Sequence, residues 1–166
     1  MSLTKNKVAA LMIAIVAIAS PGRSQHPGHP PGDGADVWIL DPADPSVGTT
    51  ACSFPVEVDF AGKIKDISLP GGRLILSAPG LSATVINLND PSKQVTVGVT
   101  GQLKVFGQPD GGVIVIGTGR NILTDAVYGL TLVIGHVSFA FDSDGNLTQG
   151  LTLQAGQTVS LCSLVE

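Results

Sequence analysis

The 166 residues carry thirteen acidic against nine basic side chains, and only 13% of the chain is charged. A net negative chain of this kind has no basic groove for a phosphate backbone, so nucleic-acid partners are excluded as an expectation. Aromatics make up 4%, while 21 glycines accompany abundant Val, Thr, Leu and Ile, a composition of strands and tight turns.

The chain opens with a short basic stretch, MSLTKNK, followed by the apolar run VAALMIAIVAIA at residues 8–19. Small residues at Ala17 and Ala19 suit the cleavage site of a secretory signal peptide, and the run is too short for a membrane span of about 20 residues. Residues 1–19 are therefore expected to be removed on export, leaving a mature form without a membrane segment. Loss of Lys5 and Lys7 leaves seven basic against thirteen acidic residues, a net charge of −6.

Residues 20–50 are dense in Pro, Gly and Asp without periodicity and read as an extended or disordered leader. One apolar segment interrupts it: Val37, Trp38, Ile39 and Leu40, between Asp36 and Asp41-Pro42, with the only Trp of the chain. The segment suits an extra strand laid on the chain's own sheet, or a linear motif that adds to a partner's sheet with Trp38 filling a pocket.

From residue 51 to 166 the pattern is that of a single β-domain. Phe54, Val56, Val58 and Phe60 alternate with polar residues, and Pro55 places this strand at an edge or on an unpaired side. Strands follow at KIKDISL, RLILSA and LSATVINL, separated by turns at Pro70-Gly71-Gly72 and Pro79-Gly80. Val95, Val97, Val99, Leu103 and Val105 share one phase over a stretch long enough to bend, with Gly98 and Gly101 as the bending points. VIVIG is apolar on both faces and should be central. GRNILTDAVYG has no clear period and is read as a strand plus a loop. Leu130, Leu132 and Ile134 occupy one phase and Val137, Phe139 and Phe141 the other, which predicts a bulge at Gly135-His136. The chain closes with LTLQ, a turn at Ala155-Gly156, and TVSLCSLV.

No helical period occurs, and the short connections predict an all-β, antiparallel meander of about eight or nine strands, either a barrel or a sandwich. Cys52 and Cys162 are the only cysteines, and in an exported chain they should form a disulfide between the first and last strands.

Few residues suggest chemistry. Asp142, Asp144 and Asn146 alternate as in a calcium loop, but Leu147 stands where the loop's Gly is needed and Leu153 where a bidentate Glu is needed. A hairpin turn is expected there, and no metal site; the same Asn146 begins a glycosylation sequon with Thr148. His26 and His29 lie in the leader, so His136, at the predicted bulge, is the one candidate for ligand contact or acid–base work. No motif calls for a cofactor, and no nucleophile elbow surrounds a Ser.

The segments CSFPVEVDFAGK, GTGRNIL and VSFAFDSDGNL, with the Pro70-Gly71-Gly72 turn, resemble small exported actinobacterial β-proteins. That likeness covers residues 52–166 and implies a fold, with no assigned activity. The plan of export signal, leader and β-domain is similar to adapter subunits of secreted bacterial toxin particles, which implies another exported protein as partner. Two functions follow as expectations. One is a non-catalytic adapter anchored through Val37–Leu40. The other is a small-ligand barrel with an apolar lumen, with isomerase- or cyclase-type chemistry as its catalytic variant.

Overall fold

The structure, a computed structural model, describes residues 37–43, 51–125 and 127–166. The expected signal segment and most of the leader, with His26 and His29, lie outside the described residues.

Alternating burial in the first half of the domain builds a four-stranded sheet. It comprises β1 (Val37–Leu40), β2 (Val56–Ala61), β5 (Ser82–Asn87) and β6 (Gln94–Gly98), in the order β1-β2-β5-β6. Every second residue of β2 and β5 is buried, so one face belongs to the core and the other meets solvent. A six-stranded sheet takes β3 (Lys65–Leu69), β4 (Arg73–Ser77), β7 (Gln102–Gly107), β8 (Val113–Asp125), β9 (Gly129–Phe141) and β10 (Leu147–Ser160). Its order is β10-β9-β8-β7-β4-β3, and all pairs in both sheets are antiparallel. Neither sheet closes into a barrel.

The expected meander survives in bent form. β2 runs into β3, β4 into β5 and β6 into β7 through short corners, so each of these stretches contributes one half to each sheet. β2 pairs with β5 while β3 pairs with β4, and β5 pairs with β6 while β4 pairs with β7, so neighbours in sequence stay neighbours through the corners. The bend foreseen at Gly98 and Gly101 is where β6 leaves one sheet and β7 enters the other. Counting halves separately gives ten strands rather than eight or nine.

Two details differ from the sequence reading, and one ambiguous stretch resolves as a strand followed by a short connection. Pro55 does not mark an edge: β2 lies between β1 and β5, and Pro55 sits just before it, its carbonyl accepting the Leu88 N–H at 3.0 Å. GRNILTDAVYG is no loop over most of its length, since β8 continues to Asp125. Ala155-Gly156 is not a turn; it lies inside the 14-residue β10.

The physical reason is a row of glycines. Gly119, Gly135 and Gly156 are register partners across β8, β9 and β10, and all three have positive φ (81°, 141° and 117°). Here the chain reverses which side chains point inward without ending the strand. A Cβ on Gly135 would collide with the Ala155 carbonyl, and one on Gly156 with that of Ile134. The expected phase change at Gly135-His136 is therefore real, but β8 and β9 keep continuous register through it. The extra residue lies on β10, where Leu153 faces Val137 and Ala155 faces His136.

Cys52 and Cys162 form the expected disulfide, with Cα atoms 5.5 Å apart and a sequence separation of 110. Cys162 opens a single turn of 3₁₀ helix, Cys162–Leu164, after β10, so the bond ties the lead-in to β2 to the end of the last strand. Such a bond fits an oxidising environment.

Candidate functional site

Two groups of buried side chains fill the interior. The larger joins Val56, Val58, Ala83 and Val85 of the four-stranded sheet to Ile122, Leu130 and Leu132 from the far halves of β8 and β9. Leu161 and Val165 seal it near the disulfide. The smaller group, Leu74, Val105, Val113, Val115 and Phe139, lies on the near half of the six-stranded sheet.

Between them is a cavity of about 190 Å³. Trp38 of β1 and Phe60 of β2 form one wall, their rings edge-to-face with centroids 4.5 Å apart. Leu76, Leu103, Phe139 and Phe141 of the six-stranded sheet form the opposite wall. The corners Ala78–Leu81 and Val99–Gly101, where chains cross between sheets, border the gap. Small residues stand at the corners: Ala78 has little side chain, and at Gly101 a Cβ would strike the Asn121 amide. The mouth is marked by Ile64 and Leu147, which line the cavity while remaining 56% and 51% exposed.

The end of β8 supplies the polar part of the wall, Asn121, Thr124 and Asp125. Asp125 is 8% exposed, and its carboxylate accepts N–H groups from Val127 at 2.8 Å, Tyr128 at 3.4 Å and Leu151 at 3.3 Å. Leu151 lies in the first half of β10, far along the strands from Asp125, so this bond requires the sheet to curl until the tip of the β8–β9 hairpin meets β10. The carboxylate thus closes the cavity end by organising backbone. Asn121 is 6% exposed and donates its Nδ2 hydrogen to the Thr118 carbonyl at 3.1 Å.

The four residues of β1 meet different surroundings. They pair in register with β2, from Val37 opposite Asp59 to Leu40 opposite Val56. Val37 is exposed, Trp38 and Ile39 are half-buried and Leu40 is fully buried in the larger core group. The segment is thus the edge strand of its own sheet, and Trp38 also lines the cavity. The Trp38 Nε1 is buried without an acceptor among the described residues.

His136 is half-buried in the middle of β9, between Thr118 of β8 and Ala155 of β10, with its Nε2 buried and unpaired among the described residues. It is not among the residues that line the cavity. The Asp142–Asn146 segment joins β9 to β10 as a tight turn: the Asp142 N–H donates to the Asn146 carbonyl at 2.9 Å, and Gly145 takes a φ of 90°. The Asp142 carboxylate accepts the Asn146 side-chain amide at 3.0 Å and the N–H groups of Asn146 and Asp144, each at 2.9 Å. Hydrogen bonding, first from the Asn146 side chain, holds its pKa below the usual carboxylate value.

Sequence reasoning singled out Trp38 but missed Asn121 and Asp125, because GRNILTDAVYG has no clear period. The one available signal was an Asp followed closely by Gly129, a usual start for a side-chain-capped turn.

The fold and site define a two-sheet antiparallel β-protein with an internal apolar cavity. No family model, no curated protein and no solved structure matches the chain.

Proposed function

We propose that the protein is an exported binding protein that holds a small apolar molecule between its two sheets. The observation that carries this reading is the cavity of about 190 Å³ whose walls are mostly Leu, Phe, Val and Trp side chains. Pockets for small molecules are concave and largely apolar with a few polar groups, and here Asn121 and Asp125 are such groups. The reading is of binding rather than of isomerase- or cyclase-type catalysis. Asp125 is the one acid–base side chain of the wall, and its carboxylate is already engaged by three backbone N–H groups. The signal segment and the disulfide support export. Titration with p-xylene, followed through Trp38 fluorescence and thermal unfolding, tests the proposal. A saturable spectral change with a rise in Tm is expected, and a linear, non-saturating response would count against it.

A second reading keeps the adapter role with another exported protein as partner. It is favoured by β1, which among the described residues pairs with β2 alone and exposes Val37, an edge suited to strand addition. Since β1 belongs to the fold, the discriminating variant removes residues 20–36 and spares residues 37–40. In a pull-down from culture fluid, a partner kept by the full chain and lost by this deletion and by Trp38→Ala supports the adapter role. A partner lost with none of them removes it.

A further inference from the structure

Resting on the cavity reading above, we propose that the ligand is a neutral, compact apolar molecule with one hydroxyl group, and that Asn121 is the residue that accepts its O–H.

Size sets the first limit. A cavity of about 150 Å³ lined by aliphatic and aromatic side chains stays dry and admits benzene. At about 190 Å³, with a mouth between Ile64 and Leu147, this one takes a six-membered ring with a few substituent atoms. Long acyl chains and steroid-sized ring systems are too large.

Charge sets the second. Asp125 is the only charged residue in the wall among the described residues, and no Lys, Arg or His lines it. An anionic ligand would leave water to face a carboxylate and no cation, which is strongly unfavourable in an apolar site. A cation would find its only counter-charge already occupied by the N–H groups of Val127, Tyr128 and Leu151.

The polar contact comes from Asn121. Its Nδ2 donates to the Thr118 carbonyl, and this fixes which end of the amide is the oxygen. The Oδ1 lies against Gly101 in the cavity wall and accepts no hydrogen bond from any described residue. The Asn121 side chain is only 6% exposed, so a donor brought to this oxygen inside the cavity meets little competition from water. The oxygen can accept only from a donor, so a ligand oxygen placed against Asn121 must be an O–H; an ether or ester oxygen gains nothing there. The absence of a Cβ at Gly101 is what lets the amide sit flush with the wall.

Trp38 is the only Trp of the chain and lies in the cavity wall, so its emission reads occupancy directly. The full chain with its disulfide intact is titrated with menthol, menthol O-methyl ether, p-menthane and cyclohexanecarboxylate, with calorimetry as the second readout. Menthol should bind about tenfold more tightly than its ether, the effect of one buried hydrogen bond against one unmet acceptor. Cyclohexanecarboxylate should not bind. Asn121→Leu should lower menthol affinity to that of the ether and leave p-menthane unchanged. Equal binding of menthol and its ether by the unaltered chain overturns the assignment without recourse to a variant. So does a menthol preference that survives in Asn121→Leu. Binding of p-menthane without any menthol preference removes only the role of Asn121, whereas failure of every probe, p-menthane included, removes the cavity reading as well.

Discussion

The two ends of the interior are built from the same residue types and yet differ in kind. At the disulfide end, fifteen buried apolar residues from both sheets interlock around Val56, Val58, Val85 and Leu130, all at 0% exposure. Beyond it a smaller group of five buried side chains lies on the six-stranded sheet, and between the two groups the packing opens into the cavity bounded by Trp38, Phe60 and the aromatic pair Phe139–Phe141. The difference lies in the strands that supply each end. In the solid half the four-stranded sheet lies face to face with the far halves of β8 and β9. In the open half the chains are turning through corners, and side chains at corners cannot interdigitate as they do between aligned sheets. An end that is stapled and solid can carry an end that is open.

The comparison is broken most severely at the staple. Cys52→Ser with Cys162→Ser frees a loop of 110 residues and should cost about 4–5 kcal/mol in the chain-entropy account, read as a loss in denaturant midpoint. An unchanged midpoint would show that the solid end needs no clasp. Next comes truncation in each half. Leu130→Ala in the solid half should cost about 3 kcal/mol, because its site cannot collapse. Leu103→Ala in the cavity wall, where the side chain is half-buried and already lacks partners on one side, should cost about 1 kcal/mol. Equal costs would mean that the two ends are packed alike.

Filling the open end sharpens the contrast. Ala78→Leu places a larger side chain at a corner of the cavity and should stabilise by about 1 kcal/mol while abolishing the Trp38 response to p-menthane. Stabilisation with the response intact would place the bound probe elsewhere. The smallest effect is a pH dependence of the turn after β9. The Asp142 carboxyl is held below its ordinary 3.8 by the Asn146 side chain and the turn N–H groups. A lowered folded pKa gives stability that is present above the unfolded value and lost as pH falls through the folded one. Amide chemical shifts of Gly145 and Asn146 should therefore stay constant at neutral pH and move only on strong acidification. The Asp142→Asn variant should show no such step.

Much of this was legible from residues alone, wherever the signal is local. Alternation in β2 and β5, the turns at Pro79-Gly80 and Asp142–Asn146, and the phase reversal between Ile134 and Val137 all follow from side-chain period and from backbone freedom at glycine. The errors came where a local signal was ambiguous and a distant partner decided it. Ala155-Gly156 has turn composition, but Gly135 stands opposite Gly156, so the strand kinks and continues. Pro55 suggested an edge, but the chain begins pairing one residue later. Trp38 was noticed for its flanking Asp-Pro units, and its packing on Phe60 rests on the pairing of β1 with β2.

The sequence by itself determined an all-β chain with two cysteines suited to a clasp and a net negative charge, because composition and period act at short range. Only the tertiary structure decided that the meander folds into two sheets, that three glycines align across β8, β9 and β10, and that Asn121 and Asp125 end a cavity walled by Trp38. Those outcomes depend on which corners bend and which strands curl, and such choices are made by contacts between residues far apart in the chain.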